Sequence, residues 1–183
     1  MQKTYTTKRL ILRVLDEAFA DDVLDYYQRN RTLLEQWEPL RSEDFYSQAY
    51  QKQQLSDDLI RIKDGQLLRL WIFREGSDSI IGSVAFNNII RGAFLSCRLG
   101  YKLDMDELNQ GYMTEAVEKG IEIMFTDYRL HRIEANIMPH NVASRRVVEK
   151  LGFKDEGLAY KYLRIDGKWE DHIHMVLLNE DLD

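Results

Sequence analysis

Apolar and polar residues alternate along several short stretches of this chain, and such alternation predicts β-strands with one buried face. Strands are predicted on this basis at 5–14, 67–74, 80–90, 94–103, 131–138, 160–165 and 168–178. The dipeptide Asp166-Gly167 between the last two is typical of a two-residue hairpin turn. The pattern therefore indicates a sheet of about seven strands.

Between these strands, apolar residues recur at helical spacing in four segments. Asp16 is a candidate N-cap for a first helix, and Ser42 is a candidate N-cap for a second helix that runs to about Lys63. A third helix follows Gly111, and a short fourth helix follows Asn141. The sequence thus predicts about four helices beside the sheet.

The order of the elements predicts the direction of the strands. Because a helix connects the strand at 94–103 with the strand at 131–138, we expect these two strands to be parallel neighbours. The other strands are expected to be mostly antiparallel. The predicted fold class is α+β (mixed α/β): a central, mostly antiparallel sheet with flanking helices, in a single domain that covers residues 1–183.

Composition narrows the functional classes. The chain has 183 residues, 44% of them hydrophobic, as expected for one globular domain. Its formal net charge of −6 argues against nucleic-acid binding and slightly favours a cationic partner. No segment resembles a signal peptide or a membrane span, so we expect a cytoplasmic protein without membrane contact. The single cysteine, Cys97, excludes an internal disulfide and is expected to be a buried strand residue.

Two residues at helix starts are candidates for ligand binding. Gly111 precedes a helix whose free first-turn amides and dipole can bind an anion such as phosphate. The alternative is that Gly111 only joins a loop to a helix. Asn141, three residues before Ser144, can either hold a ligand or simply act as the N-cap of its helix.

Several motifs in a fixed order resemble one known family. They include Lys8-Arg9-Leu10-Ile11-Leu12-Arg13, Gln36-Trp37-Glu38-Pro39, Gly111-Tyr112-Met113-Thr114-Glu115-Ala116, His131-Arg132-Ile133-Glu134-Ala135-Asn136 and Met138-Pro139-His140-Asn141. Over nearly its whole length the chain resembles the GCN5-related N-acetyltransferases (GNAT). Within that family it resembles the RimJ/RimL branch, which acetylates the N-terminal residues of ribosomal proteins, and the RimJ type in particular.

The resemblance implies acetyl-CoA as co-substrate. In this family the fourth and fifth predicted strands splay apart, and the pantetheine arm lies between them along a free strand edge. The residues expected to bind acetyl-CoA are Leu99, Gly100, Tyr101, Leu103, Gln110, Gly111, Tyr112, Met113, Thr114 and Asn141. The family pattern at the pyrophosphate loop corresponds here to Leu108, Gly111 and Met113, of which only the glycine is retained. Backbone amides are therefore expected to contribute more than side chains.

The implied chemistry is direct transfer of an acetyl group from the thioester to an amine. Many relatives protonate the departing thiolate with a tyrosine, but the corresponding residue here is Val148. Ser144 is the candidate proton donor, with helix capping as the alternative role. Glu134 is the candidate general base acting through water, or else a solvated strand carboxylate.

The acceptor is expected to be a protein N-terminus, possibly that of a ribosomal protein. Residues expected to contact it are Trp37, Asn87, Trp169, Asp171 and His172, and the last two are also alternative bases. A small amine, such as a polyamine, amino acid or antibiotic, is the alternative acceptor. A non-catalytic module that binds acyl-CoA is a further alternative.

Two expectations concern metals and assembly. His172 and His174 have a spacing that metals use, but no third ligand lies near them in sequence, so we expect no metal. The chain is expected to be a monomer or a homodimer.

Overall fold

The structure is a computed structural model that describes residues 3–182. Its strands are β1 (Thr4–Thr6), β2 (Leu10–Arg13), β3 (Leu68–Arg74), β4 (Ile80–Ile90), β5 (Ser96–Leu103), β6 (Arg132–Ile137), β7 (Lys154–Ile165) and β8 (Lys168–Leu178). They form one sheet of eight strands in the order β1-β2-β3-β4-β5-β6-β8-β7. The predicted α+β class with a mixed, mostly antiparallel sheet is confirmed.

The sheet contains one strand more than the sequence predicts. The stretch predicted as one strand at 5–14 is two short antiparallel strands, β1 and β2. A turn separates them, because the Thr7 amide donates to the Leu10 carbonyl oxygen at 2.9 Å and the Leu10 amide donates to the Thr7 hydroxyl at 3.1 Å. A side-chain hydrogen bond thus interrupts an otherwise regular alternation.

The α-helices are α1 (Ala20–Arg29), α2 (Arg31–Glu35), α3 (Gln48–Lys63), α4 (Tyr112–Thr126) and α5 (Val142–Lys150). Asp16 caps a 3₁₀ turn, Glu17–Phe19, that leads into α1. The prediction that Ser42 is the N-cap of the second long helix, α3, is wrong. Ser42 precedes another 3₁₀ turn. The N-cap of α3 is Ser47, whose side chain accepts a hydrogen bond from the Tyr50 amide. The short α2 follows Asn30, whose buried amide group bonds to Asp104 instead of to solvent.

The helices cover both faces of the sheet with separate cores. On one face, α4 packs against buried residues such as Leu70, Val84 and Phe86. On the other face, α1 and α3 pack against Trp71 and Phe73. Within residues 3–182, no helix combines the length and the apolar character needed to cross a membrane.

Strands β5 and β6 form the sheet's parallel pair, and their pairing is short. It joins Ser96–Arg98 to Arg132–Glu134 and then ends, although β5 continues to Leu103 and β6 to Ile137. Beyond Arg98 the edge of β5 that faces β6 therefore has no strand partner. The expected opening between these two strands is therefore present.

Candidate functional site

The loop before α4 presents its backbone to solvent. Gly111, the N-cap of α4, has the left-handed angles φ 80° and ψ 3°, which favour glycine. No side chain of the described residues caps this helix end, so its first-turn amides are available to an anion. Thr114 is half-buried and lines the same site, whereas the Met113 side chain is buried in the core. Met113 can thus contribute its amide but not its side chain.

A charged pair holds this loop against the β1–β2 turn. The Glu115 carboxylate accepts hydrogen bonds from the Thr7 hydroxyl at 2.6 Å and from the Arg9 Nε at 2.7 Å. Arg9 also donates to the Gln110 carbonyl oxygen at 3.0 Å and stacks on the Tyr112 ring, 4.5 Å from its centroid. Burial raises the pKa of Glu115, but these hydrogen bonds outweigh burial and lower it. The carboxylate next to this helix end is therefore neutralised by its own partner.

A cavity of about 400 Å³ lies at this helix end, and two lysines border it. Lys8 and Lys150 are exposed, and no hydrogen bond or ion pair engages either ammonium group among residues 3–182. The cavity thus has two lysine cations in its lining. One carboxylate there, that of Glu118, has no ion-pair partner among residues 3–182. Sequence reasoning missed both lysines, because they lie 142 positions apart and no motif connects them.

The free edge of β5 lies on the side of this strand that faces β6. It includes Leu99, Gly100, Tyr101 and Leu103, all of which follow the last residue paired with β6. On the opposite side of the opening, the Asn141 side chain caps α5 by accepting from the Ser144 amide at 3.1 Å. Its Oδ1 is thus occupied, and its amide nitrogen remains as a donor.

Two hydroxyl groups meet across this opening. The Ser144 hydroxyl donates to the Tyr101 hydroxyl oxygen at 2.9 Å, and the Tyr101 hydroxyl donates to the Ser144 carbonyl oxygen at 2.7 Å. Burial raises the pKa of Tyr101, and the hydrogen bond from Ser144 only partly offsets this. Tyr101 is therefore a neutral phenol across the physiological pH range. Val148, the position of the missing tyrosine, is fully buried and non-polar.

A second cavity, of about 490 Å³, lies where β5 and β6 diverge. It is lined by Asn87, Arg98, Leu99, Gly100, Asn136, Tyr162 and Leu163. Asn87 and Arg98 are paired across β4 and β5, so their side chains share one face of the sheet, which is opposite to the face of Tyr101. Of the five predicted acceptor-contacting residues, Asn87 lines this cavity, while Arg98, Asn136 and Tyr162 were missed.

Glu134 does not line this cavity, and its carboxylate is engaged. It accepts from the Arg132 Nε at 2.7 Å, and Arg132 also bonds to Glu156 at 2.5 Å and 3.0 Å. A water-mediated role for Glu134 would have to proceed from within this ion pair. The predicted role of Glu134 as a base therefore stays a prediction.

Asp171 and His172 support β7 from the adjacent strand. The Asp171 carboxylate accepts from the Lys161 amide at 2.8 Å, at an irregular point in the β7–β8 pairing. His172 is buried and packs against Tyr162, with ring centroids 5.5 Å apart. Burial lowers the pKa of His172, which keeps the imidazole neutral near pH 7. Both residues thus position Tyr162 and β7 beside the cavity.

The two predicted tryptophans lie away from this cavity. The Trp37 ring lies 5.7 Å from the His140 ring, next to the turn before α5. Trp169 is 61% exposed on β8, near the hairpin tip. Neither tryptophan lines the cavity. Either one could contact only those parts of an acceptor that extend outside the cavity.

Cysteine and metal chemistry have little structural support in the described part of the chain. Cys97 is buried, and burial together with the nearby Glu134 raises the pKa of its thiol to about 12. Between residues 3 and 182, no group of three or more His, Cys, Asp or Glu side chains is placed to hold a metal ion.

Comparison with known proteins identifies the family. The family described as "Acetyltransferase (GNAT) domain" matches residues 9–154. The chain is 37% identical over 176 residues to the [Ribosomal protein uS5]-alanine N-acetyltransferase of Escherichia coli (strain K12), covering 96% of this chain and 91% of that protein. It is also similar to the solved structure of the ribosomal-protein-S5-alanine acetyltransferase from Vibrio fischeri, with a TM-score of 0.94, 35% identity and 99% of each chain covered.

A second solved structure has coenzyme A in it. This is Mycobacterium smegmatis RimJ in complex with CoA-disulfide, with a TM-score of 0.89 and 29% identity, covering 94% of this chain and 83% of that chain. The resemblance seen in the sequence motifs is thereby confirmed. The chain belongs to the GNAT family and is an N-acetyltransferase.

Proposed function

We propose that this enzyme transfers the acetyl group of acetyl-CoA to the N-terminal α-amine of a protein, with ribosomal proteins as the substrate class. The observation that carries this proposal is the opening between β5 and β6. An anion-binding helix end lies at one side of it, and the cavity with Arg98 and Asn136 lies at the other. The two relatives named for uS5 or S5 acetylation support the choice of acceptor.

The residues at the helix end fit the charged part of coenzyme A. The first-turn amides after Gly111 suit a pyrophosphate, and Lys8 and Lys150 supply the cations that a phosphate-rich molecule needs. The unpaired edge of β5 suits the pantetheine arm, because its amide groups can replace those of a neighbouring strand. From Asn141, the free amide nitrogen can donate to the same arm from the other side.

The thioester supplies the activated acetyl group, and the protein has two tasks in the transfer. A backbone amide on the free edge of β5 can donate to the carbonyl oxygen as negative charge develops on it. As the amine attacks the carbonyl carbon and the C–S bond breaks, Ser144 can give its hydroxyl proton to the leaving thiolate, and its oxygen then takes up the proton that the amine nitrogen loses; the non-polar Val148 cannot do this. Tyr101 fixes the position of the Ser144 oxygen and acts through it.

An α-amine suits this site better than a lysine side chain. An α-amine titrates at about 7.7–8.0 and a lysine at about 10.4, so the α-amine is more often neutral at pH 7. Among residues 3–182, no carboxylate that would stabilise an ammonium ion lines the cavity proposed for the acceptor. The nearest carboxylate on β6, Glu134, is bonded to Arg132.

An acetyl-transfer screen tests the proposal. Purified enzyme and acetyl-CoA are offered equal concentrations of peptides with a free N-terminus, the same peptides with a blocked N-terminus and an internal lysine, polyamines and amino-sugar antibiotics. We expect acetylation of free N-termini, located by mass spectrometry. Exclusive acetylation of internal lysines or of small amines would contradict the proposal, and the absence of any transfer would favour a non-catalytic role.

A further inference from the structure

Arg98 is an unpaired cation in the wall of the acceptor cavity. It is exposed at its position on β5, and no hydrogen bond or ion pair among residues 3–182 engages its guanidinium group. Arg132, on the neighbouring strand and the same face, is bonded to both Glu134 and Glu156.

The neighbouring carboxylates are already occupied. Glu134 lies opposite Arg98 in the β5–β6 register, but its carboxylate bonds to Arg132 at 2.7 Å. Glu156 bonds to the same guanidinium group. The other polar residues that line the cavity, Asn87, Asn136 and Tyr162, are neutral amides and a phenol. Arg98 is thus the charged group that an acceptor meets there.

A second unpaired group lies on the same wall. The Oδ1 atom of Asn136 is buried and has no hydrogen-bond partner among residues 3–182, although the Nδ2 atom of the same side chain donates to the Tyr162 hydroxyl at 3.2 Å. A buried acceptor oxygen without a partner carries an energetic cost that a donor from a substrate removes. An amine N–H that reaches this oxygen would be such a donor.

The spacing along the strand relates these two groups. Arg98 lies two residues before Gly100, which is roughly 7 Å along an extended strand at about 3.3 Å per residue. A peptide in extended conformation advances by a similar distance per residue. A peptide whose amine lies at Asn136 and Gly100 therefore brings its second or third side chain to Arg98.

We propose that Arg98 makes the enzyme selective for N-termini that carry an aspartate or glutamate at the second or third position. This inference rests on the proposed function and extends it to the acceptor sequence. A guanidinium group pairs with a carboxylate through two parallel hydrogen bonds, and it repels a lysine or arginine at the same place. The same charge disfavours polyamines, which bring a second cation close to the reacting amine.

Matched peptides test this selectivity. Three otherwise identical peptides carry Glu, Gln or Lys at position two, and a second set varies position three. For the wild-type enzyme we expect kcat/KM for the best Glu peptide to exceed that of its Gln counterpart by about 10-fold or more, as for a charge-assisted hydrogen bond. The Lys peptide should be the poorest.

Two variants assign the effect to Arg98. Arg98→Gln should remove the difference between the Glu and Gln peptides while leaving the neutral peptide a substrate, and Arg98→Glu should make the Lys peptide the preferred one. Arg61→Gln, on α3, is the control and should keep the wild-type order. Unchanged acetyl-CoA affinity and an unchanged melting temperature establish that Arg98→Gln is folded.

The outcomes separate this inference from the proposed function. If the wild-type enzyme acetylates the neutral peptides without preferring the acidic ones, the role of Arg98 is wrong and N-terminal acetylation stands. If Arg98→Gln lowers the rates of all three peptides by the same factor, the residue has no selective role. If no peptide N-terminus is acetylated at all, the proposed function itself fails.

Discussion

The hydroxyl of Ser144 donates a hydrogen bond to the hydroxyl of Tyr101, and the two oxygens lie 2.9 Å apart. The phenol in turn donates to the Ser144 backbone carbonyl oxygen, so Tyr101 is hydrogen-bonded to both the side chain and the backbone of Ser144. This arrangement fixes the serine oxygen at the opening between β5 and β6. To protonate a thiolate, the serine hydrogen would have to rotate away from Tyr101, and the phenol would then hold the serine oxygen only by turning its own hydrogen from the Ser144 carbonyl to the Ser144 hydroxyl.

Removing the serine hydroxyl should therefore slow the chemical step. If Ser144 is the proton donor, Ser144→Ala lowers kcat by about 10² to 10⁴, with little change in acetyl-CoA affinity. Steady-state kinetics and calorimetry measure the two quantities separately. A normal kcat in a folded Ser144→Ala variant would show that Ser144 is not the proton donor. Its role would then be limited to the first turn of α5, where its amide donates to Asn141.

Tyr101→Phe tests whether the phenol acts through the serine. We expect a smaller loss of kcat than for Ser144→Ala, and no additional loss when both substitutions are combined, because residues that act as a unit are not additive. Equal losses from Tyr101→Phe with and without the serine hydroxyl would show that the phenol has an independent role.

The anion site at the start of α4 predicts a charge-sensitive position. Gly111→Asp should weaken acetyl-CoA binding sharply, because it places a carboxylate at the helix end and a side chain at φ 80°. The added Cβ would also lie 3.4 Å from the Arg9 Nη2. Gly92→Asp is the matched control, since Gly92 has φ 75° but lies in open surroundings in the β4–β5 connection. If calorimetry finds the same acetyl-CoA affinity for both variants, the phosphates of acetyl-CoA do not bind at the start of α4.

Lys8 and Lys150 provide an independent test of the same site. Replacing both with glutamine should weaken acetyl-CoA binding by roughly tenfold or more, as expected for lost charge-assisted contacts with phosphate. The loss should shrink at high salt, because screening reduces the contribution of exposed charges. Lys63→Gln, at the end of α3, serves as the control. An affinity that is unchanged at low salt would exclude both lysines from phosphate binding.

The sequence predicts the elements of this fold well, because most of them have a strong local pattern. The Asp166-Gly167 turn is an example, since both residues have positive φ angles and the strands on either side pair directly. The additional helix α2 arises where a distant partner decides the local structure. Asn30 separates α1 from α2 because its side chain bonds to Asp104, 74 residues further along the chain.

In the candidate site, too, the sequence predicts residues in local motifs and misses residues that distant contacts bring together. Gly111, Ser144 and Asn141 belong to contiguous motifs, so sequence reasoning finds them. Arg98 stands in an ordinary alternating strand, and only the register of β5 with β4 and β6 places it at the opening. The Arg9–Glu115 pair likewise joins residues 106 positions apart, and no local pattern predicts it.

Close packing of α4 on the sheet predicts a stability effect. A Cβ atom at Gly120 would lie 2.5 Å from Cε2 of Phe86, which is fully buried. Gly120→Ala should therefore destabilise the protein, because overpacking a core costs about 1–3 kcal/mol. This cost is opposed by the higher helix propensity of alanine, which is worth up to about 1 kcal/mol.

Urea denaturation of the purified variants measures this effect. Gly120→Ala should lower the unfolding midpoint, and adding Phe86→Leu should recover part of the loss, because the two side chains share one space. A midpoint equal to or above that of the wild type would show that Phe86 moves aside without cost.

The last prediction concerns the general base. Because no carboxylate of residues 3–182 lines the cavity proposed for the acceptor and Glu134 is bonded to Arg132, we expect the enzyme to bind the neutral amine rather than to deprotonate an ammonium ion. The acidic limb of the kcat/KM profile should then follow the pKa of the acceptor, and it should move when N-terminal peptides of different amine pKa are compared. Glu134→Gln should leave this limb in place. Asp171→Asn, on β8, should leave it in place as well. A limb that stays at the same pH for every acceptor, and that disappears only in Glu134→Gln, would instead establish Glu134 as the base acting through water.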